Sequence, residues 1–452
     1  MDVSSRISRL FYIACAALTI LLAFMLIFSK DAVQEGVLAG EKLVMRHSAL
    51  LDIVDCEGYS AVEVKNPWGE GLLKRYLLVP SDSVLPENLP EGVVVRTPIK
   101  KALVLSGVHV ALFEELGVAG SVAAVCDAGY VYSEETVNAL LKGEVIDCGS
   151  SLDVSMEQVA VASPDAAFVL PYENGGYGKL EKVDFPLIEC ADYMEISPLA
   201  CAEWVRFYGR LLGKAAVADS IYDAVCDEYD VLRRVASKGW PRPRLLCELR
   251  SSSAWYVPAG GSTMGRMYAD AGADYLFSHC SGSGSVPLSF ELVLERAADA
   301  DVWLVKYNSE VDKTYSSLLD EYEGYSHFRP FKEKNIFVCN TREKRLFEDR
   351  TFHPERMLKE LLALFHPHLL PGYKLRYYES NDAVGRLVGS QHLLQCSQGL
   401  LLGHGGGKIK RSLQANICRH NSIRHGIQRF KAYLLQHGFH LGISRSNVAR
   451  HK

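Results

Sequence analysis

KAAVADSIYDAVCDEYDVLRRVAS, residues 214–237, is the stretch on which the fold turns. Ala218, Tyr222, Val225, Tyr229 and Leu232 recur at spacings of three and four, the period of one face of an α-helix, and the charged residues all fall off that stripe. A helix of about 23 residues rising 1.5 Å each is about 35 Å long. Upstream, Ser197-Pro198 pairs an N-cap with a proline at the first helical position, opening a shorter helix that carries Trp204, Phe207 and Leu211. Gly213-Lys214 divides the two helices, and Lys238-Gly239-Trp240-Pro241 stops the second. Residues 197–239 therefore read as a linker built around one rod.

On both sides of the rod, short β-rich runs alternate with helical ones. Before it come the runs Ala102–Leu105, Val122–Val125, Val145–Asp147, Ala167–Leu170 and Pro186–Ile188, with helices at Val110–Leu116, Glu134–Leu141 and Ser155–Ala162. After it come Arg244–Leu249, Trp255–Val257, Tyr275–Phe277, Val302–Lys306 and Ile336–Cys339, with helices at 262–271, 289–297 and 353–364. Such alternation predicts mostly parallel sheets covered by helices. A hairpin over 58–80, turning at Asn66-Pro67-Trp68-Gly69, precedes the first set. Ser155-Met-Glu157 leading to Ser163–Leu170 parallels Ser289-Phe-Glu291 leading to Asp299–Val305, one copy on each side of the rod. The expected fold class is α/β: two Rossmann-like lobes (45–196 with the extra hairpin, and 240–380) linked by a single long helix.

Two terminal segments differ from this body. Arg6 and Arg9 precede an uncharged apolar run from Leu10 to Phe28. Its nineteen residues span roughly 28 Å, about the hydrocarbon thickness of a bilayer. Residues 1–31 are read as a membrane anchor in preference to a cleaved signal, and the positive start leaves the bulk of the chain outside the cytoplasm. Residues 1–380 hold 38 Lys+Arg against 53 Asp+Glu, whereas residues 381–452 hold 11 against one, with half of the histidines. That basic tail is read as disordered, either a basic arm or a gene end without an evolved role. The twelve cysteines show no Cys-x-x-Cys pair. Cys126, Cys190, Cys247 and Cys339 read as small half-buried residues near strand ends in preference to a thiol-lined ligand site, and a Cys190–Cys201 pairing stays open.

The chain resembles the ABC-importer substrate-binding proteins that serve iron-siderophore, haem and vitamin B12 uptake. Asn66-Pro67-Trp68, Val95-Arg-Thr-Pro98, Ile188-Glu-Cys-Ala-Asp-Tyr193, Ala202-Glu-Trp204, Ala254-Trp-Tyr-Val-Pro258 and Gly265–Gly272 carry the likeness. The resemblance implies the class III periplasmic-binding-protein fold, no catalysis and no intrinsic cofactor. It implies a bulky iron or cobalt chelate bound between the lobes, and two permease subunits met by Glu157 and Glu291. Open α/β sheets place ligands at the carboxyl ends of their strands. The candidates there are Ser106, His109, Tyr130, Tyr132, Tyr172, Glu173 and Tyr177 from the first lobe. The second offers Arg250, Trp255, Tyr256, Lys306, Tyr307, Asn308, Asn340 and Arg342. Aromatic faces suit a flat chelate, and Lys and Arg suit an anionic shell. The glycines of Glu173–Gly178 would let backbone approach the ligand.

Competing readings are a receptor of the same fold for a bare metal ion and an extracytoplasmic hydrolase. The first needs His, Asp and Glu to dominate the gap. For the second, Ser106-Gly107-Val108-His109 is not a nucleophile elbow, and Gly282-Ser-Gly-Ser285 lacks the lysine of a P-loop and reads as a flexible loop. His353-Pro354 and His366-Pro367-His368 read as the start and end of the last helix. No nucleic-acid partner is expected.

Overall fold

The structure, a computed structural model, describes residues 40–381. The expected anchor over 1–31 and the tail from 382 lie outside the described residues. The rod is a helix over Ala215–Ala236, with Ala218, Tyr222, Val225, Cys226, Tyr229, Leu232 and Ala236 buried on one stripe. It packs against the helices Val205–Leu211 and Pro354–Phe365, and Lys359 pairs with Glu228 across the latter contact. Full burial of each large side chain on this stripe stabilises the packing by about 2 kcal/mol.

Each end of the rod leads to a separate sheet. The first lobe orders its strands Leu187–Glu189, Ala166–Val169, Ala102–Val104, Val122–Val125 and Ile146–Asp147, all parallel. The second orders Asp274–Tyr275, Arg244–Cys247, Val302–Tyr307, Ile336–Asn340 and Glu379–Ser380, parallel except for the last. Strands covered on both faces read as unbroken apolar runs, which is why they were legible without alternation.

The paired Glu motifs fold alike. Ser155 caps Met156–Ala162 by accepting from Gln158 N–H, and Ser289 caps Phe290–Ala297 by accepting from Leu292 N–H. Glu157 and Glu291 occupy the same position in the two first turns, and both are exposed.

The expected hairpin over 58–80 forms, Tyr59–Lys65 pairing antiparallel with Leu72–Pro80, within a five-stranded sheet that also takes Gly40–Leu43, Leu51–Cys56 and Val93–Thr97. Two expectations for the second lobe need correction. Trp255–Val257 does not join the parallel sheet. Ala254–Pro258 pairs antiparallel with Arg250–Ser251 and with Ser285–Leu288, so the stretch read as a flexible loop over 282–285 runs into a strand. Its Pro287 lies opposite Tyr256, on an edge that can spare an N–H.

Candidate functional site

Between the sheets, the carboxyl ends of one set of strands face those of the other. Tyr132, beyond the strand Val122–Val125, donates its hydroxyl to the Thr341 carbonyl at 3.2 Å, and Thr341 follows the strand Ile336–Asn340. The backbone before Tyr132 is held by a close approach at the start of the helix Gly107–Glu115. A Cβ on Gly107 would lie 2.4 Å from the Tyr130 carbonyl oxygen, so any larger residue would push the Asp127–Tyr132 loop away.

The electrostatics report the same convergence. Burial raises the Tyr132 phenol to about 12, and the Glu348 carboxyl of the second lobe adds to the rise. Burial and Asp127 raise Tyr130, with Arg342 opposing. Tyr130, Tyr132, Arg342, Thr341 and Glu348 are thus brought together from both lobes. Glu348 is only 8% exposed, and its Oε2 has no hydrogen-bond partner among the described residues. Burial pushes its carboxyl to about 7.

The first lobe also holds a cavity of about 290 Å³ at its strand ends, lined by Leu105, Leu170, Tyr172, Tyr177 and the Ser151–Val154 turn. Tyr172 and Tyr177 both line it. The Tyr172 hydroxyl donates to the Gly176 carbonyl at 2.6 Å, and Tyr177 donates to the buried Glu189. Gly175 serves this packing directly, because a Cβ there would lie 1.6 Å from the Tyr172 ring. The glycine makes room for a side chain of its own loop. Glu173 is exposed beside it.

On the second lobe, Lys306 pairs with Glu248, their side chains 14% and 16% exposed, and Arg342 pairs with Glu310 at 3.1 Å. Arg250 lies over the Tyr322 ring at 4.6 Å. It also adds to the pull of the local backbone and Ser289 that holds the Glu291 carboxyl below its ordinary range. Asn308 and Tyr256 are half-buried, Tyr256 on the opposite face of its strand from Trp255.

Several sequence candidates have other work. Trp255 is fully buried, donates from Nε1 to the Cys247 carbonyl at 2.9 Å, and packs on Trp303, Tyr325 and Phe328. Its strand alternation turns the ring inward. His109 is 2% exposed and lies 2.9 Å from Asp192 beneath Tyr208. Burial opposes a charge on His109 and Cys190 adjoins it, but burial also keeps that thiol protonated. The Asp192 carboxylate therefore raises the imidazole above its ordinary value, as a structural ion pair. Ser106 caps the helix by accepting from Val108 N–H. Asn340 donates to Ser309 O and Asp312, and accepts from Ser309 and Arg342 N–H groups. Tyr307 donates to the same Asp312. These two hold the 307–312 loop in shape.

Cys126, Cys190, Cys247 and Cys339 are buried free thiols at or just beyond strand ends, and Cys201 is a buried free thiol in the helix Pro198–Glu203, so the Cys190–Cys201 pairing is not made. His353 precedes the helix Pro354–Phe365, and His366 follows it with Nε2 3.2 Å from Gly272 O. Among the described residues no three His, Cys, Asp or Glu side chains gather to hold a metal ion, so the geometry gives a bare-ion receptor no support there.

Sequence reasoning missed Glu248 and Glu348. Glu248 adopts φ 66°, which no local pattern announces. Glu348 sits on the helix Leu346–Phe352, which has no side-chain N-cap to mark its start.

Two α/β lobes joined by one helix, with their strand ends opposed, make the class III periplasmic-binding-protein fold. The chain belongs to the periplasmic binding protein family, whose match runs over residues 104–343. It is a substrate-binding protein and not an enzyme. An uncharacterized lipoprotein of Methanocaldococcus jannaschii is 25% identical over 321 residues, 68% of this chain and 75% of that one. A second lipoprotein of the same organism is 21% identical over 71% of this chain and 82% of its own. Among solved structures, the Helicobacter pylori CeuE nickel–histidine complex aligns with a TM-score of 0.50 at 14% identity, covering 70% of this chain and 91% of that one.

Proposed function

We propose that the chain is the extracytoplasmic receptor of an ABC importer, which captures a bulky metal chelate between its lobes and delivers it to the permease. The observation that carries this reading is the meeting of Tyr132 and Thr341, which turns two sets of strand ends toward one another as the walls of a single site. Tyr130, Tyr132, Tyr172 and Tyr177 give the first wall flat faces suited to a chelate ring system. The nickel–histidine ligand of the Helicobacter pylori protein is a small metal complex of the same general kind. The lipoprotein relatives support tethering outside the cytoplasm.

Delivery needs a fixed orientation over the permease. Glu157 and Glu291, exposed and equivalently placed on the two lobes, supply two separated carboxylates for guanidinium partners. Uptake of radio-iron hydroxamate and of cobalamin in the producing cell, with and without the gene, tests the reading. Loss of one uptake on deletion, restored by the wild-type chain and not by a Glu157→Lys/Glu291→Lys chain, is the expected outcome. Unaltered uptake of every metal complex tried would contradict it.

A further inference from the structure

The charges along the two walls decide what kind of chelate fits. On the second lobe the cations are already engaged: Lys306 by Glu248, Arg342 by Glu310, Lys313 by Glu321, and Arg345 by Glu114 of the first lobe at 3.2 Å. Arg250 rests on Tyr322 beside Glu291. The carboxylates have no such balance. Among the described residues, Asp127 meets the Ser151 hydroxyl and N–H and no cation, and Asp312 meets Tyr307 and Asn340. Glu348 is nine-tenths buried with one oxygen unpartnered, close enough to perturb the Tyr132 hydroxyl. An anionic ligand would have to displace built pairs and settle beside surplus carboxylates, a like-charge placement that costs heavily. The expectation of cations waiting for an anionic shell is therefore not met.

We infer that the site selects a metal chelate that is neutral or cationic on the faces it presents and rejects polyanionic chelates. This rests on the receptor reading above. The test is a fluorescence-quenching titration of the full chain with three iron complexes: neutral ferrioxamine E, monocationic ferrioxamine B and a trianionic ferric tris-catecholate. A neutral or cationic complex should bind about 30-fold tighter than the trianion. Glu248→Gln/Glu310→Gln frees Lys306 and Arg342 and should narrow that ratio about 10-fold. Glu310→Gln alone, at an exposed pair that cannot unfold the lobe, should shift it in the same direction. Tighter binding of the trianion by the wild-type chain, or a ratio untouched by both variants, overturns the inference while leaving the receptor reading intact. Failure of all three complexes to bind also overturns the inference, and the uptake experiment above decides the receptor reading separately.

Discussion

The seam where the lobes are pinned and the walls that face each other above it are both rich in charge, yet they use it in opposite ways. At the seam the helix Gly107–Glu115 ends in Glu114 and Glu115, at the end of a helix that disfavours anions. Opposite them, Arg345, His353 and Arg356 stand at the starts of two helices, where cations are equally ill-suited. The cations serve both lobes, since His353 and Arg356 also pair within their own with Glu355 and Asp349 at 2.9 and 3.2 Å. Arg345 meets Glu114, while His353 and Arg356 both approach Glu115 at 3.3 and 3.9 Å. Along the walls the pairs Lys306–Glu248 and Arg342–Glu310 close within one lobe. Charge that pairs across lobes fixes their mutual orientation, and charge that pairs within a lobe leaves the space between free for a ligand.

Glu348, lying between the two regions, gives the largest expected effect. Its carboxyl titrates near 7, above its ordinary 4.5, so ionisation opposes folding, with no penalty below the ordinary value, a growing one between 4.5 and 7, and a constant one above. Glu348→Gln should gain on the order of 3 kcal/mol at pH 8 and little at pH 4, measured by denaturant unfolding. Equal effects at both pH values would remove Glu348 from the buried seam.

The His353–Glu115 contact comes next. Burial works against the imidazolium, but Glu115 and Glu355 together raise it. His353 lowers Glu115 more than burial raises it. The stability from His353 is therefore full below the ordinary imidazole value of 6.5 and is lost as pH rises through the raised one. That from Glu115 is lost as pH falls through its lowered value. Glu115→Gln should cost about 1–2 kcal/mol between these limits and flatten the alkaline decline. An unchanged pH profile would show that the seam is held by packing alone.

Tyr132→Phe removes one cross-lobe hydrogen bond and should cost about 1 kcal/mol, with hydrogen exchange rising at Thr341. Arg342→Ala breaks only an exposed pair within its lobe. Its stability should change by less than about 0.5 kcal/mol, against which a larger loss would place Arg342 in the seam.

Much of this fold was legible because its parts have strong periods. The 215–236 stripe, the apolar strand runs and the Ser-x-Glu helix starts each carry a local signal that tertiary contacts reinforce. The site was less so. Sequence order located the wall loops, hence Tyr130, Tyr132, Tyr172 and Tyr177, but the side-chain direction of Trp255 depends on a sheet assembled from distant strands. The role of His109 depends on Asp192, 83 residues away. Pairings such as Lys306–Glu248 and Arg345–Glu114 leave no trace in spacing, so the charge character of the gap could not be read from composition.

Native mass spectrometry of the full chain purified from its producing cell most directly tests whether the opposed walls are one ligand site. One metal chelate per wild-type chain, and none on a Tyr130→Ala/Tyr132→Ala chain of unchanged fold, is the expected result. A wild-type chain that leaves the cell without a chelate, or a double variant that carries it equally well, would contradict the account.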